Sequence, residues 1–212
     1  MIDALKQEKF VAILRNIPAE KLENTVKALF EGGIRIFEVT FNPSKKDTVE
    51  TTKKSLEFIK SEFGKDAHIC AGTVIFPEFV TAAHEAGAQC IVSPNTDEKI
   101  IKLTKKYGML SMPGAYTPSE IMTAYNLGAD IVKIFPVLPD QIAYLKTVIS
   151  PLSHIPFVTT GGVNLSNAAD FLNCGAIAVA AGVTLIPNEY LEKDDYSAIK
   201  ENAGKFVKTI KG

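Results

Sequence analysis

A short apolar run followed by a helical pattern recurs eight times along the 212 residues of this chain, and this repeat constrains the fold more than any other feature. The predicted strands are residues 11–14, 34–40, 68–72, 90–93, 110–112, 130–136, 156–159 and 177–181. The predicted helices are residues 18–31, 47–63, 77–86, 97–107, 118–127, 140–149, 166–173 and 196–211. Glycine follows most of these helices, as is usual at a helix C-terminus. Capping boxes are predicted at Asp47 with Glu50 and at Thr117 with Glu120.

Strands that alternate with helices predict a parallel sheet joined by right-handed crossovers. Eight such units that close on themselves form a (β/α)8 barrel, the TIM-barrel fold. A doubly wound open sheet is the alternative, and it calls for a Gly-x-Gly-x-x-Gly turn after the first strand. This chain has Arg15-Asn16-Ile17-Pro18 there. We therefore expect an α/β fold, with residues 1–212 forming one barrel domain.

The charge balance and the cysteines restrict the classes of function. The net charge is −1 and the isoelectric point about 6.3, so there is no electrostatic basis for binding nucleic acid or an anionic membrane. No apolar run approaches the roughly 18–20 residues of a membrane span, and the first residues lack a signal-peptide pattern. Cys70, Cys90 and Cys174 are far apart among apolar residues. We expect them to be buried thiols of a cytoplasmic protein.

The sixth predicted strand carries a lysine in an apolar setting. Side chains alternate between the two faces of a strand, so Ile131, Lys133 and Phe135 share one face. Burial disfavours the charged form of an amine, and an uncharged lysine is a nucleophile towards carbonyl compounds. Alternatively, the lysine lies at a strand end and extends to solvent.

Glu38 stands in a similar position on the second predicted strand, where Ile36, Glu38 and Thr40 share a face. A barrel carries its chemistry at the C-terminal ends of its strands. An acid and a base confined there can exchange a proton, although a structural ion pair is the alternative. The strand ends together offer Arg15, Glu38, Thr40, Gly72, Thr73, Ser93, Pro94, Pro113, Gly114, Lys133, Phe135, Thr159, Thr160, Gly161, Gly162 and Gly182.

Two further patterns concern an anion and a metal. Gly161 and Gly162 follow the seventh strand, where glycines let backbone N–H groups approach a phosphate; glycine also ends strands for steric reasons. The histidines do not fall at the spacing of a metal site. The sequence therefore favours a lysine-based mechanism without a metal or other cofactor.

The chain resembles the family of 2-keto-3-deoxy-6-phosphogluconate (KDPG) and 4-hydroxy-2-oxoglutarate (KHG) aldolases. The resemblance extends over nearly the whole chain. Its motifs, in order, are residues 32–40 (GGIRIFEVT), 71–74 (AGTV), 92–94 (VSP), 112–114 (MPG), 132–136 (VKIFP) and 160–163 (TGGV).

The resemblance implies a class I aldolase on a small barrel, usually a homotrimer without a metal. Lys133 would form an imine with the 2-oxo carbon, and Glu38 would be the general acid and base, acting partly through a water. Thr73, Pro94 and Phe135 would line the pyruvate end. Arg15 and Thr160 would lie near the carboxylate, and Gly161 and Gly162 would hold a distal phosphate. Thr40 and Gly182 complete the expected substrate-binding set.

Two positions depart from the family pattern. Many KDPG aldolases have Leu-Arg-Thr after Glu-Val-Thr, whereas this chain has Phe41-Asn42-Pro43. The family usually offers a serine to the phosphate near the last strand, where this chain has Val183 followed by Thr184. Both changes remove a polar contact with substrate and leave the aldol chemistry in place.

The expected reaction is cleavage of KDPG, of KHG, or of both. The products are pyruvate and glyceraldehyde 3-phosphate from KDPG, and pyruvate and glyoxylate from KHG. An aldolase for an epimer such as the 6-phosphogalactonate is an alternative. The non-aldolase candidates are a phosphate-binding barrel of the isomerase or synthase type and a barrel that binds a keto acid without catalysis.

Overall fold

The computed structural model describes residues 1–211, and its strands form one parallel sheet of nine members. The strands are β1 (Phe10–Leu14), β2 (Ile36–Thr40), β3 (His68–Gly72), β4 (Cys90–Val92), β5 (Leu110–Met112), β6 (Gly114–Ala115), β7 (Val132–Val137), β8 (Phe157–Gly161) and β9 (Ala178–Ala181). Their order is β5-β4-β3-β2-β1-β9-β8-β7-β6, and every pair is parallel. The predicted α/β barrel is confirmed.

Helices surround this sheet. They are α1 (Ile2–Glu8), α2 (Ala19–Glu31), α3 (Thr48–Phe63), α4 (Pro77–Glu85), α5 (Glu98–Lys106), α6 (Pro118–Asn126), α7 (Ile142–Ile149), α8 (Ala168–Asn173), α9 (Asn188–Glu192) and α10 (Tyr196–Lys211). On residues 1–211, no helix is long and apolar enough to cross a membrane.

The barrel closes through one interrupted strand. β5 and β6 stand at opposite ends of the strand order, yet only Pro113 separates them along the chain. β5 pairs with β4, whereas β6 pairs with β7, in a register that sets Gly114 beside Lys133. Proline has no N–H to donate to a ladder, so the strand breaks there. The fifth predicted strand, residues 110–112, is β5, and β6 is a further short strand that the sequence does not predict; together they join the two edges of the sheet.

Period-two alternation divides the apolar side chains into two layers. The inner layer fills the barrel and consists of Leu5, Val11, Ile36, Cys70, Cys90, Val92, Met112, Ile131, Val158, Ala178 and Ala180. The larger outer layer lies between the strands and the helices. On α10 the predicted stripe is buried, with Ile199, Ala203, Phe206 and Ile210 at most 6% exposed. A packed interior leaves only the C-terminal ends of the strands open to a ligand.

The starts of α3 and α6 are the two places where the sequence predicts a capping box. The box expected at Asp47 is absent: the Asp47 side chain makes no cap hydrogen bond, and Glu50 Oε1 lies 2.6 Å from Lys54 Nζ. The backbone of Asp47 (φ −92°, ψ 10°) is not extended as at a usual N-cap, which explains the loss. By contrast, the capping box of Thr117 and Glu120 is present.

Candidate active site

Lys133 lies on the inner face of β7 and its residue exposure is 5%. Its Nζ is 5.1 Å from the centroid of the Phe135 ring, which is within the range of a cation–π contact. The expectation that Lys133 and Phe135 share a face agrees with this contact. The alternative of a lysine extended to solvent does not fit a side chain that is 6% exposed.

Glu38 lies on the inner face of β2 and is 3% exposed. Its Oε1 is 4.0 Å from Lys133 Nζ, which is near enough for strong charge attraction and too far for a hydrogen bond. Among residues 1–211, Glu38 Oε1 has no hydrogen-bond partner. Buried polar atoms are nearly always paired, so an orphan acceptor beside a lysine is typical of a functional site.

Two hydrogen bonds connect the loops that follow the first three strands. Arg15 is exposed, and its Nη2 donates to Thr73 Oγ1 at 3.5 Å. Asn42 Nδ2 donates to Asn16 Oδ1 at 2.9 Å. Asn16 and Thr73 both have left-handed backbones (φ 56° and 57°), which are uncommon outside glycine. At position 42, where the chain departs from the family pattern, the amide of Asn42 thus contacts Asn16, the residue next to Arg15.

Sequence reasoning gives Asn16 no part in this arrangement. A signal is present, because asparagine is one of the few residues that tolerate the left-handed region, and Asn16 stands two residues after the end of β1. The sequence likewise marks Gly72 only as part of a strand end, although its Cα faces the Glu38 carboxylate.

The two inward threonines use their hydroxyls on backbone carbonyls. Thr40 Oγ1 donates to Leu14 O at 3.3 Å, and Thr160 Oγ1 donates to Ala180 O at 3.5 Å. Thr40 is 9% exposed and Thr160 is 4% exposed. Both bonds are long, so each hydroxyl is available for exchange with a ligand oxygen at little cost.

Pro94 and Phe135 lie together on the side of the site that β4 and β7 provide. They line a cavity of about 430 Å³ whose other walls include Gly114, Tyr116 and Glu120. A Cβ on Gly114 would overlap the Pro94 carbonyl, so glycine at position 114 allows this loop to pack against β6. Tyr116 Oη accepts a hydrogen bond from Gln141 Nε2 at 2.8 Å, which ties the wall to the start of α7.

The ends of β8 and β9 hold the residues expected near a phosphate. Gly161 has φ 131°, and Gly162 N–H donates to Val137 O at 2.7 Å. A Cβ on Gly161 would lie 2.8 Å from Val137 O at the end of β7, and a Cβ on Gly162 would lie 2.8 Å from Pro139 Cδ just beyond it. These glycines therefore have a steric reason to be glycine, and the Gly162 N–H is engaged within the chain.

Gly182 follows β9 and packs beside Ile13 of β1, where a Cβ would lie 3.3 Å from the Ile13 carbonyl oxygen. Val183 is 71% exposed. The Thr184 hydroxyl donates to Val163 O at 2.7 Å and so does not replace a serine at position 183.

The thiols lie outside this set of strand ends. Cys70 of β3 and Cys90 of β4 are paired in register, and both are fully buried and free. Interaction with the Cys90 thiol, followed by burial, raises the pKa of Cys70 well above its ordinary value. A protonated thiol is a poor nucleophile, so Cys70 is a weak candidate for that role. In the described part of the chain, no three His, Cys, Asp or Glu side chains cluster as metal ligands would.

A second cavity, of about 470 Å³, lies between α2 and α3 outside the barrel. Its lining includes Thr40 and Asn42 but neither Glu38 nor Lys133. The first cavity is not lined by Glu38 or Lys133 either, but it includes Phe135 beside Lys133, whereas the second is lined mainly by residues of α2, of α3 and of the segments before them.

Comparisons with known proteins show which sequences and structures this chain is similar to. The family model described as "KDPG and KHG aldolase" matches residues 1–202. The KHG/KDPG aldolase of Escherichia coli (strain K12) is 32% identical over 199 residues, which cover 92% of this chain and 90% of that protein. The 2-dehydro-3-deoxy-6-phosphogalactonate aldolase of the same organism is 32% identical over 204 residues, covering 95% and 94%.

A solved structure adds a chemical observation. The KDPG aldolase of Legionella pneumophila, with pyruvate captured at low pH as a covalent carbinolamine intermediate, is 26% identical to this chain and superposes with a TM-score of 0.82. The match covers 96% of this chain and 97% of that one.

Proposed function

The chain belongs to the KDPG and KHG aldolase family, a family of carbon–carbon lyases, and on this premise we propose that Lys133 and Glu38 are its catalytic pair. The observation that carries the proposal is the buried amine of Lys133, 4.0 Å from the unpartnered Oε1 of Glu38. A class I aldolase needs a lysine that reaches a carbonyl carbon and a carboxylate beside it that takes and returns a proton.

The reaction then proceeds through an imine. The uncharged amine of Lys133 adds to the 2-oxo carbon to give a carbinolamine, which loses water to form the protonated imine. Glu38 takes the proton from the C4 hydroxyl, the C3–C4 bond breaks, and its electron pair moves into the imine to give an enamine. The aldehyde leaves, C3 is reprotonated, and water releases pyruvate. The protonated imine accepts electrons far better than a ketone, which is why this chemistry uses a lysine.

We assign substrate contacts to the remaining residues by their positions. Arg15 and Thr73 lie together on one side of the mouth, where a guanidinium and a hydroxyl suit a carboxylate. Thr160 and Thr40 supply hydroxyls from inside the barrel. Pro94 and Phe135 supply an apolar wall for the pyruvate methyl group. The end of the site that would hold the distal part of the substrate is formed by Gly161, Gly162 and Gly182.

The substrate proposed is KDPG, KHG or both, with an epimer such as the 6-phosphogalactonate as the second candidate. The relatives named for KHG/KDPG and for the 6-phosphogalactonate are equally similar to this chain, at 32% identity. The exposed Val183 at the distal end favours a substrate that does not depend on a serine there. The proposal includes one domain over residues 1–212, a homotrimer in the cytoplasm, and catalysis without a metal or other cofactor.

The experiment is intact-protein mass spectrometry after incubation with pyruvate and sodium borohydride, followed by peptide mapping. We expect the mass gain of one reduced pyruvate, located on Lys133. If the folded protein gains no mass, the imine mechanism is wrong. Turnover of KDPG, KHG and the 6-phosphogalactonate, measured as pyruvate release, then decides among the substrates.

A further inference from the structure

Gly72 is the last residue of β3, and its inner side faces the carboxylate of Glu38. A Cβ on Gly72 would overlap Glu38 Oε1 and would lie 2.8 Å from both Cδ and Cγ. Gly72 is not among the glycines with positive φ, so its backbone does not require glycine. We infer that Gly72 is a positioning residue for Glu38, because its missing side chain provides the space in which the carboxylate lies. This inference rests on the proposed role of Glu38.

The register of the strands explains why this space matters. β2 and β3 pair with Glu38 opposite Cys70 and Thr40 opposite Gly72. Inward positions on β3 alternate, so Cys70 and Gly72 both face the barrel interior. Cys70 fills the place directly opposite Glu38, and the carboxylate extends towards the mouth of the barrel over Gly72.

Packing, not hydrogen bonding, holds the carboxylate there. Oε1 has no hydrogen-bond partner in residues 1–211, and Lys133 Nζ at 4.0 Å is beyond hydrogen-bonding distance. With no hydrogen bond to Oε1, the shape of β3 beside Glu38 contributes to where the carboxylate lies.

The closest contacts of an added Cβ are all with one side chain. The three nearest heavy atoms to that Cβ all belong to Glu38, and none belongs to the backbone. Gly114 differs, because a Cβ there would overlap the backbone of Pro94. We therefore expect Gly72→Ala to fold and to move Glu38 by roughly 1 Å, a displacement that can cost on the order of 10²-fold in rate.

The test separates imine formation from proton transfer. Borohydride trapping with pyruvate, carried to its plateau, measures the imine on Lys133. Exchange of the pyruvate methyl protons in D2O, followed by NMR, measures proton transfer. For Gly72→Ala we expect trapping close to wild type and exchange slower by on the order of 10²-fold.

A second substitution distinguishes positioning from a structural role. Glu38→Asp shortens the side chain by one methylene and withdraws the terminal oxygen that a Cβ at position 72 would overlap, while the contact with Cγ remains. Gly72→Ala should therefore cost less exchange in a Glu38→Asp background than in wild type, a coupling that a double-mutant cycle measures. Gly204→Ala is the matched control, because Gly204 lies in α10 and a Cβ there would come no closer than 4.0 Å to the atoms outside its own helix. It should leave both readouts unchanged.

Three results would overturn the inference: wild-type exchange in Gly72→Ala, loss of trapping and exchange together with a lower melting temperature, or equal costs of Gly72→Ala in both backgrounds. Failure of the proposed function is distinguishable from these, because in that case the wild-type protein itself shows neither trapping nor exchange.

Discussion

Lys133 and Glu38 reach each other from opposite sides of the barrel. In the strand order, β1, β9 and β8 separate β2 from β7 along one arc, and β3, β4 and the interrupted β5–β6 strand separate them along the other. Inward side chains on opposite strands meet near the axis, which explains how residues 95 positions apart come within 4.0 Å. The buried layer beneath them keeps this contact at the open end of the barrel.

Lys133→Met should abolish the pyruvate adduct and the turnover of every keto acid, because the amine that forms the imine is gone. It should also destabilise the protein by about 3 kcal/mol, since the buried Glu38 carboxylate loses its counter-charge. Borohydride trapping and chemical denaturation measure the two effects. Turnover at the wild-type rate in Lys133→Met would remove the basis of the mechanism.

The double variant Lys133→Met with Glu38→Gln is the control for stability. It removes both charges, so it should recover most of the stability lost in Lys133→Met while remaining inactive. If the double variant is as unstable as the single one, the loss comes from packing and not from an unpaired carboxylate.

Glu38→Gln should separate the two halves of the reaction. The amide keeps the size of the side chain but neither takes nor returns a proton, so turnover should fall by about 10²- to 10⁴-fold. Imine formation on Lys133 should persist, because the amine is intact. Trapping yield at plateau and pyruvate release under saturating substrate measure these steps. Parallel loss of both would place Glu38 in imine formation instead of in proton transfer.

The period-two alternation of the strands is sufficient to predict that Glu38 shares a face with Ile36 and Lys133 with Ile131, and both isoleucines lie in the inner layer. It is not sufficient to predict their distance. That depends on which strands stand opposite each other after closure, and Pro113 interrupts one strand at the closing seam.

Short elements and empty space are harder to predict. α1 has seven residues, which is too short for a periodic pattern, yet its Leu5 is fully buried in the inner layer. The space beside Gly72 is filled by the side chain of another strand, so no local pattern around Gly72 reveals it. The engagement of the Gly162 N–H by Val137 likewise depends on the register shift between β7 and β8 that sets Val137 opposite Gly161.

Glu120 should make stability depend on pH at the start of α6. Its carboxylate accepts the backbone N–H groups of Thr117 and Tyr116, which lower its pKa. A lowered pKa means that the unfolded chain takes up the proton first, so this stabilisation is present above the unfolded pKa of about 4.3. It is lost as pH falls through the lower folded pKa. Denaturation midpoints at pH 7 and pH 3 should therefore differ less in Glu120→Gln than in wild type. An equal difference would mean that the capping box contributes nothing to this pH dependence.

Val183→Ser should reveal whether the end of β9 contacts the distal part of the substrate. The Thr184 hydroxyl already donates to Val163 O, so a serine at 183 would supply the free hydroxyl that this end lacks. A hydrogen bond to a charged group contributes about 1.5–3 kcal/mol, so kcat/KM for KDPG should rise about tenfold or more. KHG has no phosphate, and its kcat/KM should not change.

Val183→Ala is the control, because it removes the exposed methyl groups without adding a hydroxyl and should raise neither value. A gain for KDPG in Val183→Ser alone would identify position 183 as the site of phosphate discrimination. Equal effects on both substrates would place Val183 away from the phosphate.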